Sequence, residues 1–272
     1  MRYKIVVFLL LEFVFISLAY AGAWAQPKGK GLMIPLVRYY RSCQYWDPSG
    51  NLHDVPCYYQ SEFNPYLEYG LTDKLTIGMN PFVRQITNAG IVGAIHFDNS
   101  EFFGRYLFWQ KDYSAFSAQF TVNIPFYQKF PPVLAFTAPF AVIQRQYYVN
   151  GRLLYGTGGV FNSKNKSTWY ANFEGAFQHY FNGAADEIRL DFTTGLKSSN
   201  NRVELMFQSL NTISLHNPSG IEQPNYNLFK LVPSIVYWAT GHVAFQAGVS
   251  QDIYGTNTGR GTAPFIAAWI KF

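Results

Sequence analysis

The chain lacks the features on which several function classes depend. Beyond the first 25 residues it has no apolar run of the roughly 18 or more residues that a membrane-spanning helix needs. A helical membrane protein is therefore excluded. Lys and Arg are dispersed along the chain, with no basic run that would follow a phosphate backbone, so we expect no nucleic-acid partner.

Cysteine and histidine are also scarce. Cys43 and Cys57 are the two cysteines, and they flank a turn-rich stretch, which predicts a disulfide that closes this loop. A zinc site would need more ligands than these cysteines and His53 supply. The five histidines are scattered, and no nucleophile is oriented by a base. We expect no metal, no cofactor and no enzymatic activity.

The first residues have the pattern of a secretory signal peptide. Arg2 and Lys4 give a positive start, and an apolar stretch over 5–20 follows. Ala21, Ala23 and Ala25 supply small residues for cleavage. We predict a signal peptide over residues 1–25, cut after one of these three alanines, and a single domain over residues 26–272.

The rest of the chain alternates between apolar and polar residues. Between Tyr59 and Tyr69 most odd positions are apolar or aromatic, such as Phe63, and most even positions are polar, such as Glu62 and Glu68. About a dozen similar segments recur, each close to the roughly 9 to 11 residues that cross a bilayer at a tilt. The composition is 49% hydrophobic, yet the mean hydropathy is −0.05. The sequence predicts an all-β, antiparallel transmembrane β-barrel of about twelve strands.

The twelve strands are separated at clusters of Gly, Pro, Asn, Asp and Lys. An even strand number places both termini on one side, and in this class short turns face the periplasm while longer loops face outward. Both termini are thus predicted to be periplasmic. The faces of the sixth and tenth strands are ambiguous and stay unassigned. The strands are predicted to begin near Leu32, Tyr58, Lys74, Ser100, Ser114, Arg152, Thr168, Glu187, Asn201, Tyr226, His242 and Arg260.

Two further groups of residues follow from this arrangement. Pro65, Pro81 and Pro233 fall inside strands, where proline cannot donate to the ladder, so bulges would be needed to absorb them. Aromatic residues collect near strand ends, as in interfacial girdles. They are Tyr39, Tyr40, Tyr58, Tyr59, Trp109, Trp169, Tyr170, Tyr180, Tyr237, Trp238 and Trp269.

The residues predicted to face the lumen include charges of both signs. Two outcomes stay open: opposite charges pair across a narrow lumen and fill it, or they line a small aqueous path. The candidates are Glu62, Glu68, Arg84, Glu101, Arg105, Glu174, Glu187, Arg189, Asp191, Lys197, Arg202 and Glu204.

The apolar, proline-rich stretch over 126–148 is out of pattern for an outer loop. It has two interpretations, strand extension above the membrane or a gating loop folded into the mouth. The gating residues would be Phe130, Leu134, Phe136 and Phe140.

Four stretches resemble the XagA-like family of bacterial outer-membrane proteins, which are related in style to barrels of phenol-degradation pathways. They are residues 22–31, 68–78, 152–156 and 185–191. The resemblance implies an outer-membrane location and a mature chain that begins at Gly22. Phe272 also resembles the aromatic C-terminus that such barrels present to the barrel-assembly machinery. The family has no firm substrate.

These observations predict a barrel of the Gram-negative outer membrane, in contact with outer-membrane lipids. Its predicted function is that of a passive, porin-like channel for small solutes with a mixed-charge lumen. The alternative is a surface-exposed interaction or structural barrel with a plugged lumen and a disulfide-closed extracellular loop. Aromatic side chains beside the two cysteines, such as Tyr45 and Trp46, support that alternative.

Overall fold

The computed structural model describes residues 22–88, 91–93, 95–126, 147–162, 167–181, 185–215 and 225–272. In these ranges the chain forms thirteen β-strands. Within the described ranges no helix is long and apolar enough to span a membrane. The strands are β1 (Gly31–Trp46), β2 (Leu52–Gly70), β3 (Leu75–Asn88), β4 (Ile91–Val92), β5 (His96–Lys111), β6 (Ser114–Pro125), β7 (Tyr148–Asn162), β8 (Ser167–Tyr180), β9 (Glu187–Lys197), β10 (Val203–Ser214), β11 (Asn227–Trp238), β12 (Val243–Thr256) and β13 (Thr258–Lys271).

Twelve of these strands form a closed antiparallel barrel. β4 has two residues and pairs only with β3, whereas β3 pairs directly with β2 and β5. The ring closes where β1 pairs with β13. There the Gly31 N–H donates to the Phe272 carbonyl at 2.8 Å, and the Phe272 N–H donates to the Gly31 carbonyl at 3.0 Å. The predicted twelve-stranded barrel is confirmed.

The first strand of the barrel begins and the last strand ends at the same rim, which we call the periplasmic end. It carries the short turns before Leu75, Ser114, Val203 and Val243. Asp112 and Asn201 adopt positive φ angles of 49° and 56° in two of these turns, a conformation that Asn and Asp tolerate better than most residues. The long connection from Pro125 to Tyr148 leaves from the opposite rim.

The two faces of each strand have different chemistry, as the alternation predicts. Ile266, Leu205 and Phe120 point outward and are 64%, 56% and 55% exposed, as expected for a wall in contact with lipid. Thr76 and Gln178 point inward and are fully buried. The outer wall is apolar and the inner wall is largely polar.

The three strand prolines are accommodated in different ways. Pro81 lies at a register shift between β3 and β5, so a bulge absorbs it. Pro65 on β2 stands opposite Pro35 on β1, which places two residues that cannot donate beside each other. Pro233 stands opposite Phe207 with no change in strand register. Of the three prolines, only Pro81 therefore lies at the predicted bulge.

The predicted disulfide is confirmed, but it lies within a hairpin rather than at the base of a loop. Cys43 and Cys57 are bonded, with a Cα–Cα distance of 4.1 Å, and β1 and β2 continue past them to Trp46 and Leu52. A register shift beside Cys43 accompanies the bond. The turn itself is confined to residues 47–51.

Asp47 organises this outer turn. Its Oδ1 accepts hydrogen bonds from the Ser49 N–H at 2.9 Å and the Asn51 N–H at 2.8 Å, and His53 Nε2 lies 3.0 Å from its Oδ2. The hydrogen bond with His53, followed by that from the Asn51 N–H, lowers the pKa of Asp47. The carboxylate therefore holds the turn at neutral pH and well into the acid range.

We expect the double substitution Cys43→Ser/Cys57→Ser to destabilise the protein without opening the barrel. The closed ring is short, so the loss in free energy of unfolding is at most about 3 kcal/mol. Urea unfolding in lipid vesicles, followed by tryptophan fluorescence, measures it. Reduced wild-type protein is the control and must show the same shift, while loss of the heat-modifiable folded band would contradict the expectation.

Candidate functional site

The lumen contains residues that precede the first strand. We call residues 22–29 the amino-terminal segment. At the periplasmic rim Lys28 forms a bridge with Gly70, and the Gly29 N–H donates to the Gly70 carbonyl at 2.9 Å. The Lys28 N–H also donates to Asp73 Oδ1 at 3.0 Å. The segment thus enters the barrel beside the turn between β2 and β3.

Further inside, the segment is bonded to the barrel wall. The Gln26 N–H donates to Thr76 Oγ1 at 2.8 Å, and Gln26 Nε2 donates to Glu68 Oε1 at 2.7 Å. The Ser117 hydroxyl donates to the Ala23 carbonyl. These contacts come from β2, β3 and β6, so the segment is held from several sides.

Arg105 on β5 is the centre of this network and is almost fully buried. Its Nη1 donates to the Gly22 carbonyl and, at 3.1 Å, to the Trp24 carbonyl. Its Nη2 donates to Glu68 Oε2 at 2.5 Å and to the Tyr66 hydroxyl at 3.2 Å. One guanidinium therefore joins the segment to a carboxylate on β2, in the fixed fork geometry that suits arginine.

Trp24 forms the apolar part of the contact. Together with Ala23 it packs in a buried cluster with Leu107, Ala115, Leu154 and Tyr170. Gly156 lies under the indole, where any Cβ would collide with the ring. A glycine at that position on β7 is what makes room for the tryptophan.

A second apolar cluster packs the adjoining wall near the periplasmic end. Trp238 and Trp269 contact edge to face with ring centroids 6.2 Å apart, and Glu204 accepts hydrogen bonds from the Tyr170 hydroxyl at 2.9 Å and from Trp238 Nε1 at 3.4 Å. The cluster consists of Leu32, Met206, Val236, Trp238, Ala244 and Trp269. Together with the amino-terminal segment it packs the periplasmic half of the lumen.

Some aromatic residues expected in membrane girdles belong to this interior instead. Tyr170, Tyr180, Trp238 and Trp269 are buried and face inward. Their position near strand ends is shared with girdle residues, so the sequence prediction for them was wrong. Tyr39, Trp109 and Tyr237 are exposed on the outside, as a girdle requires.

Elsewhere the lumen charges form networks along the wall. On β1 to β3, Glu62 accepts from Arg38 Nη2 at 2.5 Å and from Arg84 Nε at 3.1 Å. On β11 and β12, Lys230 Nζ lies 3.6 Å from Asp252 Oδ1. Tyr40 on β1 also donates to Asp252, at 2.9 Å.

A second set of ion pairs lies on β7, β8 and β9. Arg152 Nη1 on β7 contacts Glu174 Oε2 at 2.5 Å and Asp191 Oδ2 at 3.1 Å. Arg189 and Glu187 pair along β9 at 3.1 Å. Among the described residues, these ion pairs join the same, adjacent or next-but-one strands and do not cross the barrel.

The structure places nearly all the sequence candidates on the inner wall. Lys197 reaches the Trp238 ring, with its Nζ 4.9 Å from the centroid. Arg202 is the exception, because it lies exposed on the turn between β9 and β10 rather than within a strand. Those on the inner wall are Glu62, Glu68, Arg84, Glu101, Arg105, Glu174, Glu187, Arg189, Asp191, Lys197 and Glu204.

Among the described residues, five inward charged residues were not among those candidates: Arg38, Arg152, Lys230, Asp252 and Lys271, whose Nζ lies 4.3 Å from the Trp238 ring centroid. Arg152 and Lys230 lie on the sixth and tenth predicted strands, whose faces were ambiguous. Arg38 follows an apolar stretch of β1, where no polar alternation marks the inner face. Asp252 shares the polar face of Gln246 and Ser250 on β12, so the alternation predicts its inward position.

The four predicted gating residues lie outside the described residues. They are Phe130, Leu134, Phe136 and Phe140. No group of three or more His, Cys, Asp or Glu residues is placed to hold a metal within the described ranges.

A cavity of about 230 Å³ lies inside the barrel beside Tyr66 and Tyr170. Its lining is mixed, with apolar residues such as Leu36 and Phe265 and polar residues such as Arg38. It is smaller than the roughly 300–1,000 Å³ of sites for drug-sized ligands. Its dimensions suit only a small solute.

Comparison with solved structures supports the fold. The crystal structure of the COG4313 outer membrane channel from Pseudomonas putida F1 is similar with a TM-score of 0.70 and 11% identity, covering 93% of this chain and 99% of that one. The NanC porin is matched with a TM-score of 0.49 and 8% identity, over 88% of this chain and 100% of that chain. No protein-family model matches the chain, and no curated protein matches it in sequence.

The first of these likenesses shows the fold, an outer-membrane β-barrel. Together with the apolar outer wall, it confirms the expected class, a barrel of the Gram-negative outer membrane. The XagA-like resemblance has no support from a sequence family.

We expect Arg105→Met to destabilise the protein strongly. The change leaves Glu68 buried without its guanidinium partner, which costs about 3–5 kcal/mol. Urea unfolding in vesicles measures the loss, and Arg105→Met/Glu68→Gln is expected to recover part of it. Arg38→Met is the matched control, because Glu62 keeps Arg84 and the loss must be smaller. Equal losses for the two single variants would contradict the central role of Arg105.

Proposed function

We propose that this protein is a passive outer-membrane channel for small polar or weakly charged solutes, held closed at its periplasmic end by the amino-terminal segment. The observation that carries the proposal is the course of the ion pairs. Because they follow the wall, no ion pair among the described residues crosses the lumen. Lumen charges of this kind set selectivity when water is present.

The two sides of the lumen differ in charge, once the Arg105–Glu68 pair is set aside. On β11 to β3 the charged groups sum to 4 − 2 = +2 for Arg38, Arg84, Lys230, Lys271, Glu62 and Asp252. On β5 to β10 they sum to 3 − 5 = −2 for Arg152, Arg189, Lys197, Glu101, Glu174, Glu187, Asp191 and Glu204. The field between these sides lies across the lumen and would orient a dipolar solute.

Closure rests on the amino-terminal segment. A short irregular stretch inside the lumen is easier to displace than a barrel strand, because its removal leaves the twelve-strand ladder intact. Its contacts are nevertheless specific, from Asp73 at the rim to Arg105 inside. The segment therefore combines a defined closed position with a route to opening.

Removal of the segment is expected to open the channel. Protein refolded without residues 22–25 loses Trp24 and the acceptors of Arg105, so its single-channel conductance in planar bilayers is expected to exceed that of protein beginning at Gly22 by several-fold. The matched control deletes the same number of residues from the hairpin turn 47–51, and its conductance must stay at the full-length value. Identical conductance with and without residues 22–25 would contradict the plug.

Ion selectivity tests the charge arrangement. Arg84→Ala removes a cation from the positive side and is expected to shift the reversal potential in a salt gradient towards cation selectivity. Glu174→Ala removes an anion from the other side and is expected to shift it the opposite way. Both are measured in the variant that lacks residues 22–25. Shifts of the same sign would contradict two facing sides of opposite charge.

The alternative is a surface interaction or structural barrel whose lumen stays plugged. The packed periplasmic half of the lumen and the cystine hairpin at Cys43 and Cys57 favour it. Stacked Tyr39 and Tyr59, with ring centroids 6.1 Å apart, add an aromatic surface near this hairpin. Absence of current even without residues 22–25 would favour this alternative over transport.

Assembly is proposed to depend on the C-terminal aromatic side chain. Phe272→Ala is expected to lower the amount of folded barrel in cell outer membranes several-fold, since the aromatic terminus is the proposed signal for the assembly machinery. Refolding of the same variant into lipid vesicles must proceed normally, because the backbone bonds of Phe272 with Gly31 remain. Phe272→Tyr is the matched control. Equal losses in cells and in vesicles would point to stability instead.

A further inference from the structure

The amino-terminal segment ends inside the barrel at a closely packed position. Gly22 is buried, and a Cβ atom at this position would lie 2.7 Å from Asn172 Oδ1 and 2.8 Å from its Nδ2. The backbone of residue 22 therefore contacts the Asn172 amide directly. A glycine is what permits this approach.

Asn172 on β8 has unused hydrogen-bonding capacity. Its side chain is 1% exposed, and neither its Oδ1 nor its Nδ2 has a partner among the residues that the structure describes. Leaving a buried polar group unpaired costs about 1–3 kcal/mol. An amide in this state at the inner end of the segment points to a donor that belongs there.

The ion-pair networks around this position carry a net negative charge. Arg105 contacts Gly22, and Glu174 is the next inward residue after Asn172 on β8, about 7 Å along the strand. The two ion-pair networks that include these residues contain two arginines and three carboxylates, giving 2 − 3 = −1. The networks comprise Arg105, Arg152, Glu68, Glu174 and Asp191. One added positive charge would balance them.

The sequence offers one group of this kind. Cleavage after Ala21 would make residue 22 the first residue, with an α-ammonium that has three N–H donors and one positive charge. Cleavage after Ala23 would remove the Gly22 and Ala23 carbonyls that Arg105 and Ser117 contact, and cleavage after Ala25 would also remove Trp24. The apolar leader over 5–20 is itself unsuited to the polar lumen wall.

We propose that a signal peptidase cleaves the Ala21–Gly22 bond and that the new α-ammonium of Gly22 binds inside the lumen to Asn172, with Glu174 supplying the balancing charge. Water adds across the peptide bond, leaving a carboxylate on Ala21 and an amine on Gly22 that takes up a proton. Asn172 Oδ1 accepts a hydrogen bond from this ammonium. Maturation thus creates the inner anchor of the plug, whether or not the barrel conducts.

The cleavage site is tested on protein purified from outer membranes. Intact mass and N-terminal sequencing are expected to give a chain that begins at Gly22. A mature chain that begins at Trp24 or Gln26, or one that keeps its leader, would overturn the proposal. Neither measurement depends on conductance, so failure here is distinct from failure of the proposed channel.

The anchor is tested by reactivity of the terminal amine. Acetylation of the α-amino group near neutral pH is expected to be about tenfold or more slower in the folded protein than in the urea-unfolded protein, as for a group that reacts only through local opening. Asn172→Ala is expected to raise the folded-state rate at least several-fold.

Asn150→Ala is the matched control, because Asn150 is also a buried, inward asparagine with an unpartnered Oδ1. It must leave the acetylation rate unchanged. Equal rates in folded and unfolded wild-type protein, or equal effects of the two substitutions, would overturn the anchor. A folded band on unheated gels confirms that each variant has assembled.

Discussion

The requirement that every backbone polar group in hydrocarbon has a partner governs this structure. An open sheet would leave one strand edge unpaired in lipid, and the pairing of β1 with β13 removes that edge. The reciprocal bonds between Gly31 and Phe272 finish the ladder at the last residue of the chain. Closure then creates a second problem, since the inward face of every strand surrounds a space that must be packed or filled with water.

The lumen is packed with apolar side chains in one part and lined by charged side chains in another. Towards the periplasm the space is packed by Trp24 and the second apolar cluster, much as in a soluble core. Elsewhere charged side chains lie along the wall in pairs. The Arg105–Glu68 pair belongs to both parts, because it lies on the wall and also holds the amino-terminal segment inside the lumen. A buried pair of this kind contributes little net stability, but its partners fix a position.

Period-2 alternation was sufficient to predict the barrel class, the strand number and the inward position of most charged residues. It acts through a local rule, since a lipid-facing wall excludes polar side chains at alternate positions. The rule failed where a strand carried few charges, as at Lys230, and at strand ends, where Trp269 and Trp238 have the composition of a girdle but face inward. Alternation reports the two faces of a strand, not which end of the lumen is packed.

The amino-terminal segment was beyond this kind of prediction for a different reason. Residues 22–25 belong in sequence to the small-residue region of a cleavage site, and no periodicity distinguishes a tail outside the barrel from one inside it. Its partners are spread over β2, β3, β5, β6 and β8, strands that become neighbours of the lumen only once the ring has closed.

This dependence has a consequence for the order of events. The segment enters through the periplasmic rim beside Gly70, and its inner end at Gly22 can be surrounded by β5, β6 and β8 only if those strands are already in place or close around it. The contacts of Gly22 and Ala23 with β5, β6 and β8 therefore form no earlier than the closure of the barrel wall around them.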